Sequence, residues 1–206
     1  MELGDRGAAV GREILVGLGF ALFALFALPL PAAAMDMRVD GPSAVLSGQV
    51  VHADCASLTD LLAKTDIKRI VLTNSGGGDS YSGYCMGSLI RQRGLSTTIR
   101  GRCASSCSRI WLGGVERTLD GPSSRVGLHG NYNDSGGISS DARQKLRTWI
   151  PQYAPNVDRA LMEQWIRLPT NKWMMYFYND KVELCDSGKC KPVEGRTARN
   201  AGLATR

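Results

Sequence analysis

The chain opens on an apolar run, residues 14–31, preceded by Arg6 and Arg12 and followed by Pro31-Ala32-Ala33-Ala34. A basic head, an apolar middle and small residues at the end form the layout of a secretory signal, with the cut expected after Ala34. A retained membrane anchor is the competing expectation, because about 18 apolar residues is the lower limit for spanning a bilayer. Residues 1–34 therefore read as a signal peptide or N-terminal anchor. Residues 35–206 read as one domain outside the cytoplasm, periplasmic or held at the membrane.

Within that domain the pattern alternates strand and helix. Residues 44–52 (AVLSGQVVH) are valine-rich and broken by a glycine, as in a bent strand. Residues 57–64 open on a cap-like serine and set leucines at helical spacing. Residues 68–73 (KRIVLT) are a continuous apolar strand running into Asn74-Ser75-Gly76-Gly77-Gly78-Asp79. Residues 80–93 read as a helix stopped by Gly94, residues 95–100 as a strand, and residues 101–114 as a turn that opens another helix. Residues 126–129 are a short strand. Helices are expected over 142–152 and 157–168, a buried strand over 173–178 (WMMYFY), and weak helical character over 196–203. Such alternation implies an α/β fold with a largely parallel sheet and right-handed crossovers. No repeat or long polar linker divides it.

Composition narrows the function classes. The formal charge is +6, but no dense Lys/Arg run with interleaved aromatics occurs, so no nucleic-acid partner is expected. Six cysteines (55, 85, 103, 107, 185 and 190) follow the apolar run, where an exported chain would meet an oxidising compartment. Cys185 and Cys190 bracket the turn-like Asp-Ser-Gly-Lys and are expected to pair; the other connectivity stays open. With only His52 and His129 available, and neither near a cysteine pair in sequence, no metal and no cofactor are expected.

Three segments carry candidate chemistry. The triglycine turn leaves backbone N–H groups uncovered, suited to an oxyanion. Ser105, in Cys103-Ala104-Ser105-Ser106-Cys107, stands at the start of a helix, where dipole and amides favour developing negative charge. His129 ends a strand. Singly, each reads equally as a tight turn, an N-cap and a packed histidine. In order, they make the parts of an acyl-transfer site.

At these positions the chain resembles the Clp protease proteolytic subunit of the crotonase-like superfamily. The motifs are Leu46-Ser47-Gly48-Gln49-Val50, Thr73-Asn74-Ser75-Gly76-Gly77-Gly78, Gly101-Arg102-Cys103-Ala104-Ser105-Ser106 and Ser124-Arg125-Val126-Gly127-Leu128-His129. The likeness covers residues 44–130 and implies a repeated β-β-α superhelix. It also implies a serine endopeptidase-like hydrolase acting on a peptide or protein, with Ser105 as nucleophile, His129 as general base, and Gly77 and Ser106 supplying the oxyanion-hole amides. Gly76 departs from that family's proline, and Cys103 and Cys107 flank the nucleophile, able to bond each other or reach Cys55 and Cys85. The family's aspartate position falls near Asn171, with Asp180 and then Asp134 as alternatives. Residues 131–140 form a Gly/Ser-rich loop where that family carries its ring-stacking helix, so a homo-oligomer stays an open expectation. The alternative function is a non-catalytic peptide- or protein-binding member of the same fold that has lost the triad acid.

Overall fold

The computed structural model describes residues 33–206, apart from positions 134, 135 and 139. A hairpin comes first: β1 (Asp36–Asp40) runs antiparallel to β2 (Ser43–Val50) across a Gly41-Pro42 turn. The chain then alternates through α1 (Asp54–Lys64), β3 (Arg69–Gly78), α2 (Ser80–Gln92), β4 (Ser96–Ala104), α3 (Ser106–Leu112), β5 (Arg117–Leu119) and β6 (Arg125–Leu128). Two helices follow, α4 (Ser140–Tyr153) and α5 (Arg159–Ile166), and then a meander of β7 (Trp173–Phe177), β8 (Val182–Asp186) and β9 (Lys189–Pro192).

One sheet carries all the strands in the order β1-β2-β3-β4-β6-β7-β8-β9, with β5 paired to β4. Its β2, β3, β4 centre is parallel and covered on both faces, which is why Ala44 to Leu46 and Ile70 to Leu72 are buried in unbroken runs. The expectation of a largely parallel sheet is corrected. The sheet is mixed, with four antiparallel pairings, β1–β2, β6–β7, β7–β8 and β8–β9, against four parallel ones. The cause is local: turns as short as Gly41-Pro42 and Ser187-Gly188 reverse the chain, and a parallel neighbour needs a crossover of a dozen residues or more. β1 and β9 are largely or wholly exposed, so no apolar run marked them.

The expectation of a membrane-held domain is also corrected. Among the described residues no helix is long and apolar enough to cross a membrane. The apolar run on which that expectation rested, residues 14–31, lies outside them.

Three disulfides use every cysteine: Cys55–Cys85 joins α1 to α2, Cys103–Cys107 joins the end of β4 to α3, and Cys185–Cys190 ties the β8–β9 hairpin. The core lies between the central strands and α2 and α3, with Leu72, Met86, Ile90, Ile99, Ile110 and Trp111 all sealed from solvent. Truncating one of these aliphatic chains to alanine costs about 2–5 kcal/mol. α2 begins on Asp79, whose carboxylate accepts the Ser82 N–H at 2.7 Å, a cap worth about 1 kcal/mol. α2 and α3 meet backbone to backbone at Gly87, where a Cβ would lie 2.4 Å from the Arg109 carbonyl oxygen. That contact fixes how α3 lies behind the residues described next.

Candidate functional site

The site is built where β4 turns into α3. Ser105 occupies the turn with φ 55 and ψ −126, a region that residues with a Cβ seldom adopt. It is held there from both sides. Its N–H donates to the Gly127 carbonyl at 3.0 Å, and its own carbonyl accepts the Ser108 N–H at 2.9 Å and the Ser108 hydroxyl at 2.6 Å. Cys103 and Cys107 close a disulfide across the same residues. The Ser105 hydroxyl makes no hydrogen bond among the described residues, so all the restraint falls on the backbone and leaves Oγ uncommitted.

Behind the turn sits the glycine loop at the end of β3. The β2–β3 and β3–β4 registers both slip here, near Gly48 and Asn74, which bends the loop toward α3. Gly77 packs so closely that a Cβ there would stand 2.6 Å from Ser105 Cβ and 2.8 Å from the Ser106 nitrogen. Only glycine fits. The Gly77 N–H donates a long bond, 3.3 Å, to Ser75 Oγ.

Ser105 and Ser106 line a cavity of about 260 Å³ together with His129, Asn131, Tyr132, Asn171 and Arg109. Larger hollows exist, one of about 520 Å³ beside His52 and Tyr81. The smaller cavity is distinguished by its orphans: Ser106 Oγ, Arg109 Nε and both imidazole nitrogens of His129 are buried without a hydrogen-bond partner. His129 is 6% exposed and stacks on Tyr132, ring centroids 5.0 Å apart, while the Tyr132 hydroxyl is anchored on the Leu168 carbonyl at 2.7 Å. Burial, and then the nearby Arg109 charge, push His129 down to about 3, so its imidazole is neutral at ordinary pH.

Of the residues expected from sequence, Ser105, Ser106, His129 and Asn171 line this one cavity, and Gly77 packs directly behind the first two. Asn171 lies exposed in the turn before β7 and does not bond the imidazole. Asp180 is exposed in the β7–β8 turn, away from the cavity lining, and Asp134 lies outside the described residues. Sequence reasoning missed Arg109 and Tyr132. The signal for Arg109 was available: it is the one charge in Ser-Cys-Ser-Arg-Ile-Trp-Leu, a helix buried at every position.

No protein-family profile and no curated protein sequence matches the chain. Solved structures do. A protein from Streptomyces coelicolor A3(2) described as an enoyl-CoA hydratase superposes with a TM-score of 0.50 at 16% identity, over 90% of this chain and 70% of that one. ClpP1 from Listeria monocytogenes gives 0.50 and 16%, over 79% and 88%. A mutant of the membrane-bound stomatin-specific protease 1510-N gives 0.50 and 14%, over 79% and 76%. At these identities the likeness is one of fold: the chain has an α/β architecture similar to that of these proteins.

Proposed function

We propose that the chain is a serine hydrolase of the peptidase kind. Ser105 Oγ attacks the carbonyl carbon of a peptide or related acyl substrate while His129 takes the hydroxyl proton. The C–O bond forms, and the C–N or C–O bond to the leaving group breaks as the imidazolium returns the proton to it. Water, activated by the same imidazole, then releases the acyl group. The Gly77 and Ser106 N–H groups are the proposed oxyanion donors, and Asn171 the proposed orienting group for the imidazole once substrate fills the cavity. The observation that carries this reading is Ser105 itself, strained in a turn that leaves its hydroxyl uncommitted, in the cavity that also holds an unpartnered imidazole. Strain of this kind gathers at active sites. Productive geometry needs Oγ and an imidazole nitrogen within about 2.6–3.2 Å, and neither group has a hydrogen bond to break first.

A second reading, a non-catalytic peptide-binding protein, draws support from the depressed basicity of His129 and the missing bond to its second nitrogen. A fluorophosphonate probe separates the two. Covalent labelling mapped to Ser105 is expected, lost in Ser105→Ala and slowed by about 10²-fold or more in His129→Asn. Folded protein that takes up no label refutes the hydrolase.

A further inference from the structure

Arg91, Arg109 and Arg117 lie buried or half-buried without a carboxylate partner among the described residues, and they differ in how they are satisfied. Arg91 spreads its guanidinium over the carbonyls of Leu112, Gly113, Gly114 and Tyr153. Arg117 does the same with Leu203 and Gly114. Both are structural staples remote from the cavity. Arg109 instead lines the cavity, is only 2% exposed, and bonds Ser108 Oγ at 3.2 Å, the His129 carbonyl at 3.3 Å and Asn131 Oδ1 at 2.9 Å. Its Nε has no partner. The guanidinium has five N–H donors, so capacity remains.

The surroundings add positive charge rather than cancel it. Lys145 Nζ lies 4.3 Å from the Tyr84 ring, over which the Arg109 guanidinium also sits at 5.9 Å, and the Arg143 charge acts on Tyr132. Among the described residues, none that lines the cavity is acidic. A buried cation with neither counter-ion nor full hydrogen bonding is costly, and an anion entering from outside relieves it. Ser106 Oγ, in a residue 1% exposed, is a second independent orphan in the same lining, able to donate to that anion.

We propose that this cavity holds an anion subsite in which Arg109 and Ser106 Oγ receive a carboxylate, and that the preferred substrate carries a glutamate or aspartate side chain on the acyl side of the scissile bond. The ligand assignment stands on the cavity alone; the substrate assignment rests on the hydrolase reading. The acyl group stays bonded to Ser105 after the amine leaves, so its side chain is what the cavity holds through both steps. At about 260 Å³ the space suits one short charged side chain. The carboxylate has a further effect: it offsets the Arg109 charge, the lesser cause after burial of the depressed basicity of His129.

The test has two arms, both on the full chain. The first compares hydrolysis of acetyl-dipeptide coumarin amides ending in glutamate or glutamine. Glutamate is expected to be favoured on the order of 10- to 100-fold in kcat/KM, with the preference erased in Arg109→Gln and partly kept in Arg109→Lys. Turnover of both substrates without preference overturns the inference and leaves the hydrolase standing. The second arm measures thermal stabilisation of Ser105→Ala by N-acetylglutamate against N-acetylglutamine, which needs no catalysis. Stabilisation by the acid alone, abolished when Arg109→Gln is added and retained with Arg109→Lys, supports the subsite even if the fluorophosphonate experiment fails. Equal or absent stabilisation refutes it. Arg109→Lys keeps the charge, so it guards against an Arg109→Gln chain that does not fold.

Discussion

Replacing Ser105 with glycine is expected to make the protein more stable while removing its proposed nucleophile. A Cβ at φ 55 and ψ −126 carries roughly 1–3 kcal/mol of strain, which glycine does not bear. Glycine gives back about 0.5–1 kcal/mol through the greater freedom of the unfolded chain. The lost hydroxyl costs no hydrogen bond, because Oγ makes none among the described residues. The net expectation is a gain of about 0.5–2 kcal/mol for Ser105→Gly. Ser105→Ala keeps the strained Cβ and is expected within about 0.5 kcal/mol of the parent. Urea unfolding with disulfides intact reads the difference as a shift in midpoint at constant slope. Each kcal/mol also appears as roughly 2–4 °C in Tm for a domain of this size. A Ser105→Gly midpoint at or below that of Ser105→Ala would refute the argument that the turn stores strain.

The remaining expectations follow from burial and connectivity. Because His129 is pushed down to about 3 when folded, the unfolded chain takes up a proton first as pH falls; stability is complete above about pH 6.5 and declines below it toward the folded value. Between pH 7.5 and 5 the loss is expected near 2 kcal/mol, and His129→Phe should flatten that slope in urea titrations. Removing Cys55–Cys85, which closes a separation of 30 residues, should cost more stability than removing Cys103–Cys107, which closes 4: about 3.7 against about 2 kcal/mol by loop entropy. The order should invert for fluorophosphonate labelling, since only the second bridge holds the Ser105 turn; equal labelling rates in the two double-alanine variants would count against that assignment. Gly87→Ala forces α2 away from the Arg109 carbonyl and is expected to lower stability by about 1–3 kcal/mol, read by thermal unfolding.

The parts of this fold that were legible are those where one apolar rule governs several residues at once. Residues 69–73 sit in β3, where the buried run Ile70-Val71-Leu72 is continuously apolar, and residues 96–100 in β4, where the buried run Thr97-Thr98-Ile99 is continuously β-branched. The Cys185–Cys190 hairpin followed from a turn sequence, although its two strands did not, since Lys189 to Pro192 has no buried position. The extension of β3 through its glycines to Gly78 was hidden because pairing with Gln49 and Val50, not propensity, makes it a strand. Helical character over 196–203 resolves into turns that pass Ala198 and Leu203 into the core. At the site, motif order singled out Ser105, Ser106 and His129, which line one cavity. What it did not carry was the state of those groups. The empty bonding positions on His129 and the buried charge of Arg109 arise from which loops happen to cover them, and those loops come from distant parts of the chain.

The small ring closed by Cys103 and Cys107 sets the terms on which this region can breathe. With the bridge intact, the first turn of α3 has no local way to unwind, because both of its flanks are covalently fixed and every residue of the helix is packed. Amide hydrogen exchange at Ser108, whose N–H is bonded to the Ser105 carbonyl, should therefore wait for opening of the whole domain, whereas a reduced chain would gain a cheaper, subglobal route confined to the turn.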